Sequence, residues 1–91
     1  MFEHFTVLWL KSAHKNFEKL SKSDQKIITK QIELLSTSYE NSDIKKLKGY
    51  DNLYRLRAKD YRIIFTVNKN LKQISISAVG HRREIYNLIG H

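Results

Sequence analysis

Three features of the sequence predict an α+β fold, with two helices laid on one face of a four-stranded sheet. Apolar and polar residues alternate with a period of two in residues 53–57, 61–67 and 73–79, which is the pattern of half-buried strands. Residues 13–36 instead carry apolar side chains at helical spacing. Ahead of them, residues 2–10 alternate again as a first strand. The predicted order is strand, helix, helix, then three antiparallel strands, forming a single domain over residues 1–91.

Taken in order, the first strand places Phe5, Val7 and Trp9 on one face and His4, Thr6 and Leu8 on the other. Ser12 is the expected N-cap of a short helix over residues 13–20, with Ala13, Phe17 and Leu20 along its apolar stripe. Ser23 is the expected cap of the second helix, and Asp24 is well placed near its N-terminus. That helix runs to about residues 36–39, with Ile28, Ile32 and Leu35 facing inward and Ile27 and Leu34 flanking them. Residues 40–51, rich in Asn, Ser and Asp, read as a connection pinned by Ile44 and Leu47 and turned at Gly49.

Strands 53–57 and 61–67, joined by Ala58-Lys59-Asp60, form an antiparallel hairpin. After a turn at residues 68–70, the strand over 73–79 directs Ile74, Ile76 and Ala78 one way and Ser75, Ser77 and Val79 the other. This second set is expected to floor the face that carries the arginines. Residues 80–86 end that strand, and a short tail or helical turn closes the chain.

Charge is unevenly distributed. The 91 residues carry 17 Lys+Arg against 9 Asp+Glu, a net charge of +8. Before residue 41 lysines barely exceed acids, and all five arginines (Arg55, Arg57, Arg62, Arg82, Arg83) lie beyond residue 54. Lysine-rich surfaces often serve only solubility. Arginine grouped near strand ends suits phosphate better, because its planar fork binds two oxygens at once. A polyanion, most simply RNA or DNA, is the expected partner of the C-terminal half. Absence of cysteine excludes a disulfide framework or a thiolate metal site and fits a reducing, cytoplasmic setting. The N-terminal stretch has neither the length nor the composition expected of a signal peptide or a membrane span. No glycine-rich phosphate loop, metal-spaced His/Asp/Glu cluster or Ser-His-Asp set appears, so no cofactor is expected.

The hairpin is the expected site. If its apolar residues share one face, Arg55, Arg57 and Arg62 converge on the other, where they repel one another unless an anion lies between them. Lys45, Lys46 and Lys48 flank it; Lys48 extends the anion-binding surface, with a solvated loop the plain alternative for Lys45 and Lys46. An imidazole's ordinary pKa of about 6.5 suits acid or base work, which makes His81 a candidate base, and a ring merely packed at a strand end is its alternative. Tyr86 can stack on a nucleobase or donate a proton, or simply pack. Arg83 and Glu84 are read as local structure. For the group as a whole, the alternative is a basic patch without chemistry.

The run LYRLRAKDYRIIF followed by ISISAVGHRREIY, with KLKG upstream, resembles the RelE branch of the RelE/ParE toxin superfamily, over essentially the whole chain. The resemblance implies a type II toxin–antitoxin toxin that enters the ribosomal A site and cleaves mRNA. The cut follows attack of a 2′-hydroxyl on the adjacent phosphate, without a metal. It also implies a cognate antitoxin as partner, in a toxin–antitoxin hetero-oligomer.

Residue by residue, the family's two basic positions on the first hairpin strand fall on Arg55 and Arg57, and the arginine of its Tyr-Arg pair on Arg62. The basic pair after the glycine falls on His81 and Arg82, and the terminal aromatic on Tyr86. One departure stands out: the best-known RelE pattern has lysines on the first hairpin strand, one with a proton-transfer role. Arginines stay protonated and make poor bases. A ParE-like gyrase inhibitor and a non-catalytic RNA-binding module are the alternative functions.

Overall fold

The computed structural model describes residues 4–37 and 43–89. Strand β1 (Thr6–Trp9) leads into helices α1 (Lys11–Glu18) and α2 (Lys22–Thr37). Strands β2 (Asp43–Lys46), β3 (Leu53–Ala58), β4 (Tyr61–Asn68) and β5 (Gln73–His81) follow, and helix α3 (Arg82–Ile89) comes last. The sheet has five strands in the order β1-β5-β4-β3-β2. β1 runs parallel to β5, and the other neighbours are antiparallel.

The expected α+β arrangement holds, with α1 and α2 on one face. Ala13, Ile28, Ile32 and Leu35 from these helices bury against Leu56, Ala58, Ile63, Phe65, Val67, Ile74, Ile76 and Val79 from the sheet. Phe5, Val7 and Trp9 pack on the same core, as their alternation predicts, while Leu8 stays exposed. Phe2, placed at the head of that strand, lies outside the described residues, as does the far end of the 36–39 helix terminus.

Four features differ from the expectation. The sheet has a fifth strand, because Asp43–Lys46 pairs with β3 at the edge (Ile44↔Leu56, Lys45↔Arg55). A four-residue strand with one apolar side chain has too little pattern to be seen without its partner. The second difference lies in the caps. Helix α1 starts at Lys11, after Leu10, with no side-chain cap, so Ser12 lies inside it. At α2 the cap is Ser21, whose Oγ accepts from the Asp24 N–H at 3.2 Å and whose carbonyl accepts from Gln25 N–H at 2.9 Å; Ser23 lies inside the helix. Gln25 then reaches back, donating from Nε2 to the carbonyls of Phe17 and Leu20 at 3.1 and 3.2 Å. The Phe17 carbonyl also accepts from Leu20 N–H at 3.1 Å, and through these contacts Gln25 ties the end of α1 to the start of α2.

Third, β5 does not keep one alternation. Ile64 pairs with Ala78 but Phe65 pairs with Ile76, so Ser77 is an extra, bulged residue. Beyond it the faces exchange: Val79 joins the helix-side core and Ala78 the opposite face, the reverse of the simple reading. Fourth, the C-terminal segment is a helix from Arg82, so the strand end expected over residues 82–86 is helical and the helical turn offered for the chain end begins earlier. Ile85 of α3 buries with Ile64 and Ala78 beside Leu47 and Leu53, so the second sheet face carries a small apolar cluster of its own.

Tyr61 connects the sheet to α2, its hydroxyl donating to Asp24 Oδ2 at 2.7 Å. That hydrogen bond, then burial, raises the Tyr61 pKa above its ordinary value. Tyr61→Phe is expected to lose about 1.5 kcal/mol of stability in urea denaturation at neutral pH. Because the folded-state pKa is raised, this contribution is fully present below about pH 10 and is lost as pH rises through the higher folded value. The gap between wild type and Tyr61→Phe should therefore narrow in alkali.

Candidate active site

Strand alternation puts Arg55 and Arg57 of β3 and Arg62 of β4 on the face away from α1 and α2, since Leu56, Ala58, Ile63 and Phe65 between them are buried in the helix-side core. Arg57 and Arg62 are direct cross-strand partners, and Arg55 stands opposite Ile64. The turn between the strands is only Lys59-Asp60, because Ala58 already pairs with Tyr61. Lys59 takes a φ of 56°, the left-handed conformation that such tight hairpins demand.

Helix α3 closes the other side. Its first residue donates back to the hairpin turn, Arg82 N–H to the Asp60 carbonyl at 2.8 Å. With Ile85 anchored on the sheet, helical spacing brings Arg82, Arg83, Tyr86 and Asn87 to one cleft of roughly 740 Å³ with Lys45, Leu47, Arg55, Arg57 and Arg62. Leu47 and Ile85 make its lining partly apolar, and Tyr86 is 65% exposed.

Arg62 is the most constrained cation. Its Nη1 donates to the carbonyls of Lys59 and Tyr61 at 2.7 and 2.9 Å, which fixes the guanidinium. Burial lowers its pKa, and the charges of Arg57, Arg55 and Arg82 lower it further. A guanidinium remains charged nonetheless, so the group sits in a field that an anion would relieve. Asp43 on β2 supplies one counter-charge, lying 3.5 Å from Arg55 Nη2 and 3.3 Å from Arg57 Nε.

The structure thus brings together Lys45, Arg55, Arg57, Arg62, Arg82 and Tyr86 of the residues singled out in the sequence. It does not bring in Lys48, which is exposed in the turn before β3 and does not line the cleft. His81 also stands apart. It pairs with Tyr61 across β4 and β5, its ring edge-on to the Tyr61 ring at 6.1 Å, and its Nδ1 accepts from Arg83 N–H at 3.4 Å. The Ser77 bulge is the cause: it turns His81 toward the side of Tyr61 and sets Gly80 opposite Arg62.

Sequence reading missed Asp43, Ile85 and Asn87 and assigned Arg83 to local structure. The spacing of 82, 83, 86 and 87 was the available signal, since those positions share one side of a helix. Among the described residues no group of three or more His, Asp or Glu side chains is arranged to hold a metal ion, and no helix is long and apolar enough to cross a membrane.

Comparison with known proteins places this geometry. Residues 7–86 match the family model of the ParE toxin of type II toxin–antitoxin systems, parDE. The chain is 41% identical over 68 residues to Toxin RelE3 of Methanocaldococcus jannaschii, covering 66% of this chain and 75% of that protein. It superposes on a chain of the RelB-RelE antitoxin–toxin complex from Methanococcus jannaschii with a TM-score of 0.75 and 35% identity, over 90% of this chain and 98% of that one. The archaeal RelE-RelB complex from Pyrococcus horikoshii gives a TM-score of 0.73 and 30% identity, over 86% and 94%. With most of its length matched in sequence and in fold, the chain belongs to the RelE/ParE family of type II toxin–antitoxin toxins, on its RelE branch.

Proposed function

We propose that this toxin is a ribosome-dependent endoribonuclease of the cytoplasm, which cleaves mRNA in the ribosomal A site. One observation carries the reading. Arg55, Arg57, Arg62 and Arg82 converge on one cleft that also holds an exposed tyrosine and apolar wall residues. Phosphate, ribose and base each find a matching surface there.

In the proposed reaction a 2′-hydroxyl attacks the adjacent phosphorus, and the 5′-oxygen leaves. Negative charge develops on the phosphorane, and Arg62 is the chief candidate to stabilise it, since two backbone carbonyls hold its guanidinium in place beforehand. Arg82 approaches from α3, while Arg55 and Arg57 bind flanking phosphates. The 2′-hydroxyl gives up its proton to water, and the departing 5′-oxygen takes one, for which the cleft geometry favours the Tyr86 hydroxyl as donor. His81 enters that role only if its ring leaves Tyr61.

RelE chains of the solved archaeal relatives are paired with RelB antitoxins, which supports a cognate antitoxin for this chain as well. The proposed antitoxin covers the basic cleft with carboxylates, in a toxin–antitoxin hetero-oligomer. A second reading, gyrase inhibition, has the name of the matching family model in its favour. It requires no phosphate-stabilising cluster.

Four outcomes are expected. Arg62→Ala should lower mRNA cleavage on programmed ribosomes by about 10²–10³-fold. Co-sedimentation with ribosomes should change little, because binding rests on distributed phosphate contacts. Supercoiling by gyrase unaffected by the wild type, together with cut mRNA, would separate the two readings. Tyr86→Phe should reduce cleavage more than His81→Ala; the opposite ranking, with ribosome binding intact, returns the proton-transfer role to His81. Association with the antitoxin should slow markedly from low to high salt, since charge complementarity acts mainly on the on-rate. An association rate indifferent to salt would remove electrostatic steering from the account.

A further inference from the structure

Asp43 occupies an unusual position for a carboxylate. It lies on the edge strand β2 directly opposite Arg57, and its two oxygens address two different guanidinium groups, Oδ1 to Arg55 Nη2 at 3.5 Å and Oδ2 to Arg57 Nε at 3.3 Å. Two anionic oxygens shared between two arginines is the arrangement that a phosphodiester's non-bridging oxygens would adopt. An acid of the chain itself stands where a substrate phosphate is expected.

The pairing is also selective. Among the described residues neither Arg62 nor Arg82 has a carboxylate within ion-pair distance, so Asp43 offsets one of the two charges of the β3 pair, acts on Arg62 only from farther off, and leaves the other side of the cleft the more positive. Its own side chain is 50% exposed and that of Arg57 is 52% exposed, so this pair, open to water, holds weakly, while Arg55, 16% exposed, is the better-shielded partner. A phosphate positioned by Arg62 and Arg82 can therefore displace it.

Resting on the reading of the cleft as an RNA site, we propose that Asp43 is a specificity-determining counter-ion. It occupies Arg55 and Arg57 until an RNA strand seated in register presents a phosphate to replace it. Polyanions that reach the surface in any other register meet a cleft with two of its arginines already engaged by one carboxylate. Asp43 thus trades affinity for free RNA against selectivity.

The test measures binding of a short 2′-O-methyl RNA, which lacks the attacking hydroxyl, so that affinity is read apart from cleavage. Asp43→Asn should bind it about 5- to 10-fold more tightly at low salt. The slope of log K against log salt should steepen by about 0.7 for each further phosphate neutralised, to about 1.4 if both arginines are freed. Asp43→Glu, which keeps the charge, should stay near the wild type. Glu18→Gln removes the same charge from α1 on the opposite face and should change neither affinity nor slope. An Asp43→Asn protein with wild-type slope and affinity overturns the proposal, as does weaker binding, which would make Asp43 an aligner of the arginines. Equal effects of Glu18→Gln would reduce it to net charge alone. If the wild type binds and Asp43→Asn behaves as the wild type, or if neither protein binds the RNA, the proposal falls by itself; the RNA-site reading falls only if the wild type also leaves mRNA uncut on programmed ribosomes.

Discussion

The organisation of the molecule depends on the β3–β4 hairpin and on the impossibility of exchanging its two faces. Leu56, Ile63 and Phe65 are fully buried against α1 and α2, with Ala58 and Val67 beside them. Fully burying a Leu, Ile or Phe is worth about 1.5–3 kcal/mol each. Like charges placed directly across two strands cost at most about 1 kcal/mol. The apolar face therefore decides the register, and Arg57 must stand opposite Arg62 whatever the repulsion. A one-residue slip would relieve the arginines only by sending the core side chains into water.

The same reasoning explains why the cleft is preformed. Helix α3 is attached through Ile85, buried with Ile64 and Ala78, and through the Arg82 N–H on the Asp60 carbonyl. Both anchors lie within reach of the hairpin turn. Arg62 is held by the carbonyls of the same turn, and Arg55 and Arg57 project from β3 on the face that alternation assigns them. Arg62 is thus oriented by backbone, and the strand faces gather the other cations around it, so charge is in place before a ligand arrives. Electrostatic stabilisation of a developing oxyanion is strongest under that condition.

Between the two layers stands Tyr61, hydrogen-bonded to Asp24 in α2 and edge-on to His81. It occupies the strand position next to Arg62, so the residue that ties the sheet to the helices also helps fix the backbone from which Arg62 projects. Its carbonyl accepts from that guanidinium. Fold stability and site geometry meet at this pair.

The sequence by itself determined the layers, the helix-facing stripes, the hairpin and the side on which Arg55, Arg57 and Arg62 gather. Those depend on local periodicity, and a strand that buries one face cannot hide its alternation. The motif resemblance added Arg82 and Tyr86, which the structure seats in the same cleft. Only the tertiary structure decided the rest. β2 exists because β3 offers an edge to pair with, and nothing in Asp-Ile-Lys-Lys announces it. Ser21 caps α2 in place of Ser23 because Gln25 reaches back to the end of α1, a contact between two helices. Above all, the bulge at Ser77 arises in the pairing of β5 with β4, and a single extra residue exchanges every face that follows. That exchange moved Val79 into the core, Ala78 beneath Ile85, and His81 to the side of Tyr61. Alternation counted along one strand cannot reveal where its neighbour skips a residue.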